Sequence, residues 1–409
     1  MRPRGCEHAE VHAPLLVEIV EKGQPGGARD RAAQGDEPRR LRITLLVNSL
    51  GPGGAEGVVA RLASAWALRG DEVAIVTLAP RSDDFFAIEP AVRRIALGLA
   101  ADSRSRAAAV VANARRIAAL RRALRAQQPD VVLSFVDRTN LLALAAAMGT
   151  RLRVVVCERT DPTRHVLGQP WALLRRLLYP RAVALAVQHE GLRPWAATIC
   201  APDRVLVLGN PVAIAPFATD AEPAAAIASH RIVGVGRLSA EKGFDRLIEA
   251  FARLAGRLPE WTLVLTGDGP ERARLEALVA ARGLDSRIVL RGVAADPWQG
   301  TRAGDVFVLP SRYEGMSNAL LEAMARGLAP IVTPEAGALN GVVRDGESAV
   351  VATDGSPEAI AAAIERVAGD DRLRADLAHA ARRCVERYAA SDVADEWRTA
   401  LLGVLSRAR

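Results

Sequence analysis

The sequence contains no D-x-D pair, no C-x-x-C pair, no apolar run of eighteen residues, and only two lysines, Lys22 and Lys242. Each absence removes a class of protein. Without a long apolar run, no segment has the length of a membrane-spanning helix. Cys6, Cys157, Cys200 and Cys384 are scattered, with no histidine at metal-ligand spacing, so neither a disulfide framework nor a zinc site is indicated and a reducing cytoplasm fits best. Aromatic residues make up only 4 % of the chain and no recognised basic module is present, which argues against nucleic acid as a partner. The opening stretch MRPRGCEHAEVHAPLLVEIVEKG is interrupted by glutamate and histidine and has a short apolar segment, so no export signal is expected.

What is present is globular composition, 50 % hydrophobic and 25 % charged over 409 residues, which exceeds the usual size of one hydrophobic core and predicts two domains. The net charge of +7 comes almost wholly from arginine. Such a balance suits phosphorylated substrates or an anionic membrane surface.

Residues 1–40 are rich in Gly, Pro, Arg and Glu without periodicity and are expected to form a disordered leader. From LRITLLVNSL onward, short β-type runs alternate with helical ones, the α/β signature of a parallel sheet, through residues 41–215. The alternation pauses around GNPVAIAPFATDAEPAAAIASH, where a linker is placed at 216–230, and restarts as a second domain over 231–388. In that domain Phe244, Leu247, Ile248, Phe251, Leu254 and Leu258 recur at three- and four-residue intervals and predict one buried helical face. Residues 389–409 read as a C-terminal helix capped by Ser391 and expected to pack back on the N-terminal domain.

Ligands of open parallel sheets gather where strands lead into helix N-termini, whose free N–H groups and partial positive charge favour anions. Three segments occupy such places. In NSLGPGGAEG, Gly53 and Gly54 would let backbone N–H groups approach a phosphate, although a plain tight turn explains two glycines about as well. In GVGRLSAEKGF, Arg237 follows a strand and Lys242 precedes a helix. Two cations at a helix start oppose the dipole preference and point to an anion, with solvation or pairing to Glu241 and Asp245 as the alternative. In EGMSNALLEAMARG, Glu314 lies in a loop and Glu322 one turn into a helix, away from the packing face of Leu320, Leu321 and Met324. Both carboxylates could face one cleft and accept hydrogen bonds from sugar hydroxyls. Gly315, Met316, Ser317 and Asn318 supply consecutive N–H groups at that helix start, an anion-binding arrangement.

At these residues the chain resembles family 4 of the retaining glycosyltransferases over roughly 42–400, through the E-x7-E motif from Glu314 to Glu322, supported by GRLSAEKG and GDGPER in order. The resemblance implies the GT-B fold, two Rossmann-like parallel-sheet domains facing across a cleft, with a helical C-terminal segment. It implies that Arg237 and Lys242 bind a donor diphosphate, that Glu322 holds the ribose, and that Glu314 contacts the transferred sugar. Gly53 and Gly54 would approach the phosphates from the other domain. LLVNSLGPGGAEGVVARLA and VVCERTDP are also similar to a bacterial subgroup that extends polyprenyl-diphosphate-linked saccharides for surface polysaccharides. Many relatives carry an N-terminal-domain histidine beside the reacting sugar, whereas SFVDRTNLLAL here offers Asp137, Arg138 and Asn140. His165 and His189 are candidates only by elimination.

The expected reaction is therefore metal-independent, cofactor-free transfer, with retention, from a nucleotide-sugar (a UDP-sugar) to a saccharide or lipid-linked saccharide acceptor. A nucleotide-sugar epimerase of similar fold and a non-catalytic subunit are the alternatives, opposed by the intact motif. The stretch SRSRAAAVVANARRIAALRRALRAQ, with seven arginines and no acid, and WALLRRLLYPR are consistent with anionic lipid, and equally with a solvated face. The expected location is cytoplasmic, peripheral on the inner membrane face.

Overall fold

Runs such as ITLLV, VVLSF and VFVL have no polar alternation because each strand is covered on both faces, the condition of a parallel sheet flanked by helices. In the computed structural model, which describes residues 39–101, 105–165, 167–214, 230–336 and 341–407, thirteen such strands make two sheets. Most of the expected leader and of the expected linker lies outside the described residues. Arg40–Arg409 form one compact unit.

The first sheet has strands β1 (Arg42–Val47), β2 (Glu72–Thr77), β3 (Arg93–Ala96), β4 (Val131–Phe135), β5 (Val154–Cys157), β6 (Ala184–Val187) and β7 (Val205–Val207). Their order is β3-β2-β1-β4-β5-β6-β7, all parallel, with Leu45 of β1 flanked by Ile75 and Leu133. Its helices are α1 (Gly54–Leu68), α2 (Arg106–Gln127), α3 (Asp137–Ala147), α4 (Gln169–Leu178) and α5 (Arg193–Ala197). The second sheet has β8 (Arg231–Val235), β9 (Thr262–Thr266), β10 (Ile288–Leu290), β11 (Val306–Leu309), β12 (Ala329–Val332) and β13 (Val350–Val351), in the order β10-β9-β8-β11-β12-β13. Its helices are α6 (Phe244–Leu254), α7 (Arg272–Ala281), α8 (Asn318–Ala325), α9 (Pro357–Ala368) and α10 (Asp371–Val385); α11 (Ala390–Arg407) follows.

In each sheet the strand order reverses direction beside the first strand, between β1 and β4 and between β8 and β11. Such a switch point leaves a crevice at the carboxyl ends of the strands, because the connecting helices depart to opposite faces. The loops after β1, β8 and β11 are the three segments singled out above.

The core divides into a cluster on each face of each sheet. α6 buries Phe244, Leu247, Ile248, Phe251 and Leu254 as its spacing requires, with Leu258 packed at the edge beyond the helix. α11 buries Val393, Trp397, Leu401 and Val404 with Trp66 and Phe135 of the first sheet's cluster, and the Trp66 indole donates to the Ala394 carbonyl. Ser391 is not the cap of this helix: the helix begins one residue earlier, and the Ser391 hydroxyl donates to Asp392 within the first turn. Among the described residues no helix is long and apolar enough to cross a membrane.

Candidate active site between the two sheets

The turn after β1 ends at Gly53, whose extended backbone opens α1. A side chain at Gly53 would strike the Glu56 carboxylate. Burial pushes the Glu56 carboxyl above its ordinary range, against the opposing pull of its own backbone N–H and of the positive charge of Arg237. Arg237, in the loop after β8, is therefore within electrostatic reach of this glycine turn on the other sheet. It is exposed, and its guanidinium has no hydrogen-bond or ion-pair partner among the described residues.

Lys242 ends the short 3-10 turn Ala240–Lys242, and Gly243 then opens α6. Gly243 is left-handed, with φ of 67°, and an added Cβ would collide with the Pro310 carbonyl. The loop after β8 is thus pressed directly on the loop after β11. Arg312 completes the clamp: its guanidinium donates to both Asp245 oxygens at 2.9 and 2.8 Å, and its N–H donates to the Glu241 carbonyl at 2.7 Å. Burial would raise the Asp245 carboxyl, but the Arg312 hydrogen bonds hold it below its usual value.

That packing brings two expected site residues together. Lys242 Nζ stands 2.6 Å from Glu314 Oε1, which also accepts from the Ser311 hydroxyl at 2.7 Å. The alternative pairing of Lys242 with Glu241 or Asp245 is not the one formed. Glu322 does not join this pair. Its Oε1 is held by Arg61 of α1, and its Oε2 accepts from the Trp298 indole at 2.9 Å. Each carboxylate of the motif is satisfied by a different cation, one from each sheet.

The four residues at the start of α8 form the seam between the sheets. Ser317 caps the helix by accepting from the Leu320 N–H. Gly315 lies against Gln188 and the Arg159 carbonyl, and any Cβ there would meet the Gln188 amide. The Met316 N–H donates to Gln188 Oε1 at 3.1 Å, so this donor of the expected anion cradle is occupied. Asn318 donates to the Gly54 carbonyl at 2.7 Å and accepts from Asn210 at 2.7 Å. Asn210 also donates to the Met316 carbonyl and accepts from Arg159 at 2.9 Å, while the Arg159 guanidinium lies against both Phe135 and Trp397, which stack on each other. Arg164 crosses to the carbonyls of Arg312 and Glu335 at 3.1 and 3.0 Å.

Arg61, Arg159, Arg164, Gln188, Asn210 and Trp298 were not singled out as site residues from the sequence, although Arg61 and Arg159 stand in the stretches LLVNSLGPGGAEGVVARLA and VVCERTDP quoted above. Of the two histidines, His189 is half-buried, and burial draws its pKa down against the opposing charge of Asp161. His165 pairs with Asp137.

Residues 225–384 match the family of glycosyl transferases group 1, and residues 53–211 match the glycosyl transferase 4-like domain. The chain belongs to the GT-B glycosyltransferases. It is 25 % identical over 360 residues to a Campylobacter jejuni alpha-1,4-N-acetyl-D-galactosaminyltransferase named for an undecaprenol-diphosphate-linked saccharide, covering 87 % of this chain and 97 % of that one. It is 34 % identical over 168 residues to the alpha-D-kanosaminyltransferase of Streptomyces kanamyceticus, covering 40 % of this chain and only 43 % of that enzyme. Among solved structures, HepE of Anabaena in complex with UDP and glucose has a TM-score of 0.70 at 18 % identity, covering 89 % of this chain and 100 % of that one. Sucrose-phosphate synthase from Thermosynechococcus elongatus has a TM-score of 0.75 at 19 % identity, covering 90 % and 100 %. These two likenesses concern the fold of this glycosyltransferase.

Proposed function

We propose that this glycosyltransferase moves a sugar from a UDP-sugar, with retention and without a metal, to a glycan or polyprenyl-diphosphate-linked saccharide in surface-glycan assembly. The observation that carries the donor side is Arg237, an exposed guanidinium with no partner among the described residues, which follows Gly236 against the Lys242 stem and lies within electrostatic reach of Glu56 in the glycine turn of the other sheet. As the sugar–phosphate bond breaks, negative charge grows on the departing diphosphate. Cations already in place stabilise that state more than the ground state. Arg237 and Lys242 would meet the diphosphate, Glu322 the ribose and Glu314 the sugar, while Gly53 and Gly54 would bring α1 close to the phosphates. The seam residues Gly315, Met316, Ser317 and Asn318 would border the nucleotide. Two relatives named for undecaprenol-diphosphate-linked acceptors support the acceptor class.

Thermal stabilisation by a panel of UDP-sugars tests the reading, since a ligand specific to the folded state raises apparent stability by mass action. Arg237→Ala should abolish the shift. Release of UDP that depends on added acceptor separates transfer from epimerisation. A panel with no stabilising nucleotide would refute the proposal.

An anionic membrane on the cytoplasmic side is the second partner we propose, and α4 supports it better than α2. In α2, Arg116 is tied to the Leu99 carbonyl and Arg121 to those of Ala146 and Met148, which are fold contacts. α4 packs Trp171 and Leu178 on the core, while Pro170, Leu173, Leu174 and Leu177 line its opposite, exposed face, with Arg176 and Arg181 exposed beside it. Flotation with phosphatidylcholine vesicles, with and without phosphatidylglycerol, should show binding only to the acidic vesicles and its loss in a Leu173→Ser, Leu177→Ser double variant.

A further inference from the structure

Among the described residues only two that are not glycine have positive φ. Gln128, at 45°, ends α2 in the left-handed region that such caps often use. Val136, at φ 72° and ψ 140°, is different: a β-branched residue in a region that is nearly reserved for glycine. Strain of this kind persists only where its surroundings over-determine it. Here the Val136 N–H donates to the Cys157 carbonyl at 3.2 Å and its own carbonyl accepts from the Asn140 N–H at 2.9 Å. The Asn140 side chain ties the same point to the Cys157 carbonyl and to the Tyr179 hydroxyl, which in turn donates to buried Glu158.

What the strained residue delivers is Asp137, the first residue of α3, at the carboxyl end of a strand beside the switch point. One Asp137 oxygen accepts from the Arg138 N–H, and the other stands 3.4 Å from His165 Nε2. The carboxylate is nearly buried, with 11 % of its side chain exposed, whereas the imidazole is 41 % exposed. Nδ1 of His165 has no partner among the described residues. The loop carrying the ring is fixed from both sides: Asp161 holds the Thr163 and His165 N–H groups, and Arg164 crosses to the carbonyls of Arg312 and Glu335. Arg312 is two positions before Glu314, so the loop carrying His165 touches the loop that carries a donor-side carboxylate. On its other flank, Arg138 stacks on Trp171 in the first turn of α4, the helix with the exposed leucines.

We propose that Asp137 and His165 form an acceptor-positioning pair, in which the carboxylate holds the proton on Nε2 and leaves Nδ1 as the acceptor for a hydroxyl of the incoming saccharide. The assignment rests on the glycosyl-transfer reading. All cations and carboxylates proposed for the donor come from the second sheet, apart from Arg61 behind Glu322. A polar pair held out by the first sheet meets the other substrate. A buried carboxylate 3.4 Å from one nitrogen of an exposed imidazole favours the tautomer with the proton on that nitrogen, a bias that a lone surface histidine lacks.

The test compares wild type with His165→Ala, His165→Gln and Asp137→Asn. The donors are UDP-glucose, UDP-galactose, UDP-N-acetylglucosamine and UDP-N-acetylgalactosamine, and the acceptors are the 4-nitrophenyl glycosides of the same four sugars. His165→Ala should raise the acceptor KM tenfold or more while the donor KM stays within twofold. His165→Gln, which keeps a side-chain acceptor, should recover part of the loss, and Asp137→Asn should lie between. Equal rises in both KM values, or an acceptor KM within twofold of wild type in His165→Ala and Asp137→Asn, would overturn the pair's role while leaving the transferase reading intact. A wild type that transfers to no glycoside from any of these donors would bring down both.

Discussion

The Lys242–Glu314 contact allows folding and chemistry to be separated by a double-mutant cycle. Lys242 Nζ and Glu314 Oε1 are 2.6 Å apart, with 24 % and 10 % of the two side chains exposed. Removing the lysine leaves a nearly buried carboxylate with the Ser311 hydroxyl as its remaining hydrogen-bond partner among the described residues. Hydrogen bonds to charged groups contribute about 1.5–3 kcal/mol, and partial exposure places this one toward the lower end. Lys242→Ala should therefore lower stability by about 1–2 kcal/mol, a fall in Tm of roughly 2–4 °C for each kcal/mol. Glu314→Gln should cost less than about 1 kcal/mol, because the amide oxygen still accepts and the more exposed lysine reaches water. The double variant removes the uncompensated carboxylate and should regain most of the stability lost in Lys242→Ala. Turnover should behave differently. Loss of one electrostatic donor at a developing oxyanion costs about 3 kcal/mol, roughly a hundredfold in rate, and the double variant should remain as slow as Lys242→Ala. Urea denaturation and acceptor-dependent UDP release, measured on all four proteins, supply both axes. If the double variant recovered turnover along with stability, the lysine would be a packing residue and the proposed electrostatic role would be wrong.

Other consequences can be measured directly. Burial, opposed by the Tyr179 hydrogen bond, raises the Glu158 carboxyl to about 7 from an ordinary value of 4.5. The folded state therefore binds the proton more tightly than the unfolded state. Its contribution is complete below about 4.5 and is lost as pH rises through about 7, by up to about 3 kcal/mol. Glu158→Gln should flatten this dependence in unfolding experiments between pH 5 and 8; an unchanged slope would assign it to other groups. Gly243→Ala places a Cβ on the Pro310 carbonyl at φ of 67° and should destabilise the protein by about 1–3 kcal/mol in chemical denaturation, with weaker UDP binding because the Lys242 loop must shift. Arg61→Met keeps an apolar stem but leaves Glu322 with Trp298 alone, so calorimetry should show UDP affinity falling about tenfold, or about 1.4 kcal/mol. Unaltered affinity would remove Glu322 from the nucleotide site.

The sequence by itself determined the strands, the helices and the loops that matter, because those depend on short-range periodicity. Unbroken apolar runs require a sheet covered on both faces, the spacing of Phe244 to Leu254 requires one buried helical face, and Ser317 before an apolar run starts α8. It also isolated Arg237, Lys242, Glu314 and Glu322 by residue type at helix starts. It could not say which carboxylate each cation would meet. Lys242 chose Glu314, 72 positions away, over Glu241 beside it, and Glu322 was claimed by Arg61, 261 positions away on the other sheet. Nor could it show that the N–H groups before α8 would be shared with Gln188 and Asn210, or that a strained valine would aim Asp137 at His165. These are distances between residues remote in the chain, set by how two sheets and their helices pack, and hydrophobic pattern carries no record of them. Local order was written in the residues; the pairing of charges was decided only when the chain closed on itself.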